Sequence, residues 1–143
     1  MNNVGARLNA LVTEAGPGDR MLVGICGPPG SGKSTLASGL ARDFGAPLVP
    51  MDGFHLANGE LDRLGLRHRK GAPETFDADA FVALVRELRA GRREVVAPVF
   101  DRAADASIDA GVRVPPDAAV VIVEGNYLLL DEPPWSALAD LFD

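Results

Sequence analysis

Residues 24–37 read Gly-Ile-Cys-Gly-Pro-Pro-Gly-Ser-Gly-Lys-Ser-Thr-Leu-Ala, directly after the apolar run Met21-Leu22-Val23. A short apolar run bounded by glycine predicts a buried strand over Met21–Cys26. Lys33–Phe44, closed by Gly45, predicts a helix. Between them lies Gly27-Pro28-Pro29-Gly30-Ser31-Gly32-Lys33-Ser34, which fits G-x-x-x-x-G-K-[ST], the Walker A or P-loop pattern. Glycines let a backbone close around an anion because no Cβ intervenes. The helix that follows offers free N–H groups and a positive dipole end. Lys33 adds a point charge for β- and γ-phosphates, and Ser34 supplies a hard oxygen of the kind Mg²⁺ takes. Gly27, Pro28, Pro29, Gly30, Ser31, Gly32, Lys33, Ser34 and Thr35 are therefore the expected nucleotide-binding residues. The dinucleotide pattern G-x-G-x-x-G fails here, because Thr35 stands at its third glycine position.

The rest of the chain alternates between the two regular structures. Pro47–Met51 predicts a second short strand. Asp77–Ala90 predicts a helix, with Asp77 as its cap, Phe81, Leu84, Val85 and Leu88 as its apolar stripe, and Gly91 as its stop. Val95–Phe100 predicts a short strand. Val120–Val123 is a run of β-branched residues, the mark of a strand covered on both faces. Asn3–Ala15 predicts an amphipathic helix whose stripe is Val4, Leu8, Leu11 and Val12. Strands alternating with helices imply an α/β fold with a parallel sheet and a layer on each side, as one domain over residues 1–143. Met21–Cys26, apolar on both faces, is expected at the sheet's centre. Gly53–Thr75 and Arg102–Asp117 show little periodicity and read as long functional loops.

Composition narrows the partner. The formal net charge is −6, which argues against a nucleic-acid surface and for a small-molecule ligand. The single cysteine, Cys26, rules out an internal disulfide and a cysteine metal cluster, and it reads as a small core residue of a cytoplasmic protein. No apolar stretch reaches the roughly 20 residues of a membrane helix. His55 and His68 suggest no metal site, since no third ligand accompanies them. A homodimer remains open.

Two acids stand at strand ends: Asp52 after Pro47–Met51 and Glu124 after Val120–Val123. In an open parallel sheet, ligands sit beyond the carboxyl ends of the strands. Both acids are thus expected on the edge that carries the phosphate loop. Asp52 is the candidate general base for an attacking hydroxyl, and Glu124 the candidate partner of Mg²⁺ beside Ser34.

Four further segments follow the phosphate loop in order: "MDGFH" at 51–55, "RKGAPETFD" at 69–77, "VFDR" at 99–102 and "IVEGNYLLL" at 122–130. With these, the chain from about Met21 onward resembles the uridine kinase, pantothenate kinase and phosphoribulokinase group of P-loop kinases. The closest resemblance is to its bacterial uridine kinase-like and sugar kinase-like branch. The resemblance implies a three-layer α/β/α fold and transfer of the γ-phosphoryl group of ATP, with Mg²⁺, to an alcohol group of a nucleoside, sugar or pantothenate-like molecule. Asp52 falls at the group's catalytic aspartate. Lys33, Ser34 and Thr35 fall at its nucleotide and metal positions. Asp77 falls where nucleoside kinases hold sugar hydroxyls, and Arg102 where the group contacts the acceptor. His55, Lys70 and Asn126 are further candidate acceptor contacts. Each has a plainer reading: Asp77 as a helix cap, His55 as a hydrogen-bonded loop residue, Lys70 as part of a solvated basic run with Arg67, His68 and Arg69.

Members of the group continue with another strand, an arginine-bearing lid helix and a further strand beside the adenine, whereas this sequence stops at Asp143. The expectation is a C-terminally incomplete domain whose turnover is in question. Two other readings stand beside the kinase: a nucleotide-binding NTPase or regulatory protein, and a non-catalytic remnant.

Overall fold

Beneath the phosphate loop lies a parallel sheet of three strands in the order β1-β5-β2, with β1 Met21–Cys26, β2 Leu48–Pro50 and β5 Val120–Gly125. The computed structural model describes residues 3–15 and 18–143. Register pairs Cys26 with Gly125 and Pro50 with Glu124, so all three strands end at one edge. Every residue of β5 is buried, as its β-branched run predicts.

The two faces of the sheet bury separate cores. On one face Ile25, Val120 and Ile122 pack against Leu8 of helix α1 (Asn3–Glu14) and against Ala37 and Leu40 of α2 (Lys33–Phe44). On the other, Leu22, Val49, Val121 and Val123 meet Phe81, Val82, Val85 and Leu88 of α4 (Ala78–Ala90), together with Trp135 and Leu138. This is the three-layer α/β arrangement expected. Local sequence explains the helix bounds. Gly45 and Gly91 close α2 and α4 in the left-handed region (φ 58° and 64°), where only glycine sits without strain. Asp77 starts α4 by accepting the Ala80 N–H at 3.1 Å.

Four expectations need correction. First, β1 is not central among the described strands: it pairs with β5 alone, and β5 holds the middle. On its other edge Leu22 N–H donates to the Asp143 carboxylate (2.8 Å), and Leu22 C=O accepts the Asp143 N–H (2.9 Å). Second, Cys26 is exposed, because it is the last residue of β1 and lies past the core on either face. Third, on α1 only Leu8 of the predicted stripe is buried, while Val4 and Leu11 are 50% and 40% exposed. Fourth, the two segments read as loops contain regular structure. Helix α3 spans Asn58–Leu64 with Leu61 as its one buried residue, too little for an apolar stripe. Strand β4 (Ala106–Val114) forms an antiparallel hairpin with β3 (Val95–Asp101). Nearly all of β4 is exposed, so it carries no alternation to read.

The hairpin sits tightly on the turn that follows β2. A Cβ placed on Gly53 would lie 2.1 Å from the Pro98 carbonyl oxygen, and Ser107 Oγ donates to Gly53 C=O at 2.7 Å. A buried arginine braces the opposite end of the sheet: the Arg20 guanidinium donates to the carbonyls of Leu88, Pro115, Pro116 and Ala118 at 2.8–3.1 Å. Burial lowers its pKa.

Candidate active site

The loop between β1 and α2 is bent by glycine where the backbone demands it. Gly30 and Gly32 have φ 77° and 86°, and a Cβ on Gly27 would lie 2.7 Å from Ser31 Oγ. Gly32 caps α2 without any side-chain acceptor, so the first N–H groups of the helix point out with no protein partner supplied by the cap. This is the geometry of an anion cradle. Pro28, Pro29, Ser31, Ser34 and Thr35 are exposed around it, and the loop turns on the Ser31 N–H to Pro28 C=O bond at 3.2 Å.

Three side chains converge at the mouth of the cradle. Ser34 Oγ donates to Glu124 Oε1 at 3.1 Å, and Lys33 Nζ lies 3.8 Å from the same oxygen. Glu124 is only 7% exposed, so its charge faces Lys33 and the cradle rather than bulk water. Ser34 and Glu124 together offer hard oxygens at one point. Among the described residues no cluster of three His, Cys, Asp or Glu could hold a metal alone. That donor set fits Mg²⁺, which commonly takes one or two protein oxygens and completes its shell with phosphate and water.

Asp52 stands on the neighbouring strand end, two residues beyond the Pro50–Glu124 pair, within a 3₁₀ turn over Met51–Phe54. The site spacing is set by packing: a Cβ on Gly125 would lie 2.6 Å from the Met51 Cβ. The Asp52 carboxylate is half-buried and has no hydrogen bond or ion pair among the described residues. Its backbone carbonyl takes the Nδ1–H of His55 at 2.8 Å. A carbonyl can only accept, so this contact places the proton of neutral His55 on Nδ1 and leaves Nε2 as an acceptor.

The remaining predicted residues divide. The His55 ring packs against Phe76 (centroids 4.1 Å) and Phe100 (4.8 Å), next to the Asp52 turn. Lys70 Nζ is 5.2 Å from the Phe100 centroid and is held by Asn58 Oδ1 and Asp105 Oδ1, each at 2.7 Å. Asn58 Nδ2 also donates to Asp105 Oδ2 at 3.0 Å, and the hydrogen bonds from Lys70, foremost, and from Asn58 keep the Asp105 carboxyl below its ordinary range. Two further members of the basic run are paired, Arg67 with Asp62 and Arg69 with Glu74. Asn126 is half-buried just past β5, with its backbone carbonyl 3.5 Å from Cys26 Sγ. Arg102 is exposed on the β3–β4 turn and makes no ion pair among the described residues. Asp77 is occupied as the α4 cap, and it borders a separate cleft with Trp135 and Pro133-Pro134. Sequence reasoning missed Asn58 and Asp105, which lie in segments without a motif, and Phe100, which lies in the "VFDR" segment but reads only as part of a strand. Tyr127, in the "IVEGNYLLL" segment, packs on Phe76 and Trp135, donates to the Gly71 carbonyl at 2.6 Å, and has its phenol pKa raised by burial.

With this geometry in view, similarity to known proteins is informative. The family profile described as "Phosphoribulokinase / Uridine kinase family" matches residues 22–143. A Schizosaccharomyces pombe protein provisionally named a uridine kinase is 46% identical over 136 residues, which cover 87% of this chain and 58% of that protein. A pantothenate kinase of Leifsonia xyli is 37% identical over 131 residues, covering 85% of this chain and 41% of its own length. The crystal structure of a Silicibacter protein provisionally named a fructose transport system kinase superposes with TM-score 0.81 at 41% identity, covering 99% of this chain and 72% of that one. The chain thus spans between two fifths and three fifths of the length of these two curated relatives.

Proposed function

Because the chain belongs to the phosphoribulokinase / uridine kinase family, we propose that it is a P-loop kinase transferring the γ-phosphoryl group of ATP to a hydroxyl of a small molecule. One observation carries the reading. Lys33, Ser34 and Glu124 meet at the mouth of an uncapped anion cradle, and just beyond the adjacent strand stands Asp52, a carboxylate without a partner among the described residues.

Each group has a task that its surroundings support. The loop amides and the α2 N-terminus hold the phosphates, and Lys33 places its charge on the transferring oxygens. Ser34 and Glu124 would hold Mg²⁺, which when bound neutralises charge on the phosphates. Asp52 accepts the proton of the attacking hydroxyl; a carboxylate already tied to a cation would be a poorer base. Thr35 flanks the nucleotide. His55, Lys70, Asp77, Arg102 and Asn126 are the candidate acceptor contacts. The net charge of −6 supports a small-molecule partner over a nucleic acid, and we place the activity in the cytoplasm. No described helix is long and apolar enough to cross a membrane.

The test is ADP release from Mg-ATP against nucleosides, sugars, sugar phosphates and pantothenate. The expected result is acceptor-dependent release that Asp52→Asn lowers by about 10²- to 10⁴-fold, the usual contribution of a general base, with ATP affinity within about twofold. Release that no acceptor stimulates and that Asp52→Asn leaves intact would contradict the assignment and favour an NTPase.

A further inference from the structure

Resting on the kinase reading, we infer that Tyr127 is a positioning residue: through one hydrogen bond it sets the turn that bears Lys70, and so ties the acceptor side of the site to the strand end that bears Glu124. Three observations support it.

The first is the turn itself. Residues 69–72 close on a bond from Ala72 N–H to Arg69 C=O at 2.9 Å. Lys70 has φ −48° and ψ 126°, and Gly71 has φ 104°, the type II pattern that needs glycine at its third residue. Both polar groups of Gly71 are then held by side chains. Its N–H donates to Thr75 Oγ1 at 3.0 Å, and its C=O accepts the Tyr127 hydroxyl at 2.6 Å. Thr75 is fully buried and donates in turn to the Ala72 C=O at 2.7 Å.

The second is what the turn connects. Tyr127 follows directly on β5, just past Glu124, so its hydroxyl anchors the turn to that strand end. The other end of the segment is fastened to the Asp52 turn. Leu56 N–H donates to Thr75 C=O at 2.9 Å, Asp77 N–H donates to Phe54 C=O at 2.8 Å, and His55 forms an antiparallel bridge with Phe76. Among the described residues no other hydrogen bond joins residues 69–76 to the stretch that follows β5.

The third is what the turn presents. An ammonium has three N–H donors. Asn58 Oδ1 and Asp105 Oδ1 take two from Lys70, each at 2.7 Å. The third has no acceptor among the described residues, and the side chain is 21% exposed. The ammonium lies 5.2 Å from the centroid of Phe100, which packs on His55, and His55 is bonded to the Asp52 carbonyl. A long, flexible side chain is thus held ready beside the Asp52 turn, which spares a ligand the cost of ordering it.

The test uses Tyr127→Phe, which keeps the ring packed on Phe76 and Trp135 and removes only the hydroxyl. Its effect is read at the Asp105 carboxyl, which Lys70 and Asn58 hydrogen-bond and Arg67 faces from further off. NMR titration of that carboxyl in the whole chain needs no acceptor. The expected result is an upward shift about half that of Lys70→Met or larger, with nothing added when the two are combined. Gly71→Ala, which strains the turn and leaves the hydroxyl in place, should shift it the same way. In acceptor-stimulated ADP release, Tyr127→Phe and Lys70→Met should each raise the acceptor KM about tenfold, as for the loss of one charge-assisted hydrogen bond, with the KM for Mg-ATP within about twofold. An Asp105 midpoint that Tyr127→Phe leaves in place, or an acceptor KM that it leaves unmoved, would overturn the inference and leave the kinase reading standing. Release that no acceptor stimulates would instead contradict the kinase reading and the acceptor role of Lys70 with it, while the carboxyl titration would still decide whether Tyr127 positions Lys70.

Discussion

Asp52 and Gly53 are adjacent residues under opposite constraints. Asp52 is legible from sequence, because an acid just beyond a short apolar strand must emerge at the ligand edge of a parallel sheet. Gly53 is not legible, because its requirement comes from a strand more than forty residues away: the Pro98 carbonyl lies 2.1 Å from where its Cβ would be. That oxygen belongs to backbone and cannot swing aside as a flexible side chain would. Gly53→Ala should therefore cost about 3 kcal/mol, the upper end of overpacking, unless the hairpin shifts. For a chain of this size that lowers the thermal midpoint by about 10 °C. A midpoint within about 2 °C of the parent would show that the turn and hairpin are not in this contact. The Lys33–Ser34–Glu124 convergence was legible for a similar reason to Asp52: motif and strand end fix the positions, and the parallel register brings them together.

At the scale of elements, the sheet and its helices were readable and the β3–β4 hairpin was not. β5 is buried throughout and advertises itself; β4 is exposed along most of its length and is held by pairing with β3 rather than by an apolar face. The tip of that hairpin is tied to α3 and the basic run through Asp105, Asn58 and Lys70. The pH behaviour of this tie follows from the sign of one shift. The Lys70 hydrogen bond, then that of Asn58, lower the folded-state pKa of Asp105. The contribution is then fully present above the ordinary aspartate value, and it is lost only as pH falls through the lower folded value. Following the Asp105 carboxyl by NMR should show it titrating below the ordinary aspartate value, and Lys70→Met should move it upward. Titration of Asp105 at or above the ordinary aspartate value would contradict the tie.

At the scale of the whole molecule, the two ends of the sheet do different work. The end where the strands begin is braced by Arg20, which is 9% exposed and bridges the end of α4 to the segment leading into β5. Charged hydrogen bonds of this kind contribute about 1.5–3 kcal/mol, and their loss strands carbonyl acceptors. Arg20→Met should therefore lower stability by about 3 kcal/mol in denaturant unfolding while leaving nucleotide affinity unchanged, because the brace lies far from the phosphate loop. A variant that weakened Mg-ATP binding without loss of stability would contradict this division of labour.

The other end carries the central claim: main-chain amides between β1 and α2 grip a polyphosphate, with the ends of β5 and β2 facing it. The most direct measurement is residue-resolved. A non-hydrolysable Mg-ATP analogue is titrated into the ¹⁵N-labelled chain, and the backbone amide resonances are followed. The account predicts that the largest shifts fall on Gly27 and Gly30–Thr35, with smaller ones at Asp52 and Gly125, and that Lys33→Met removes them. Shifts centred on Arg20 and Arg89 at the far end of the sheet, with the glycine-rich loop silent, would contradict it.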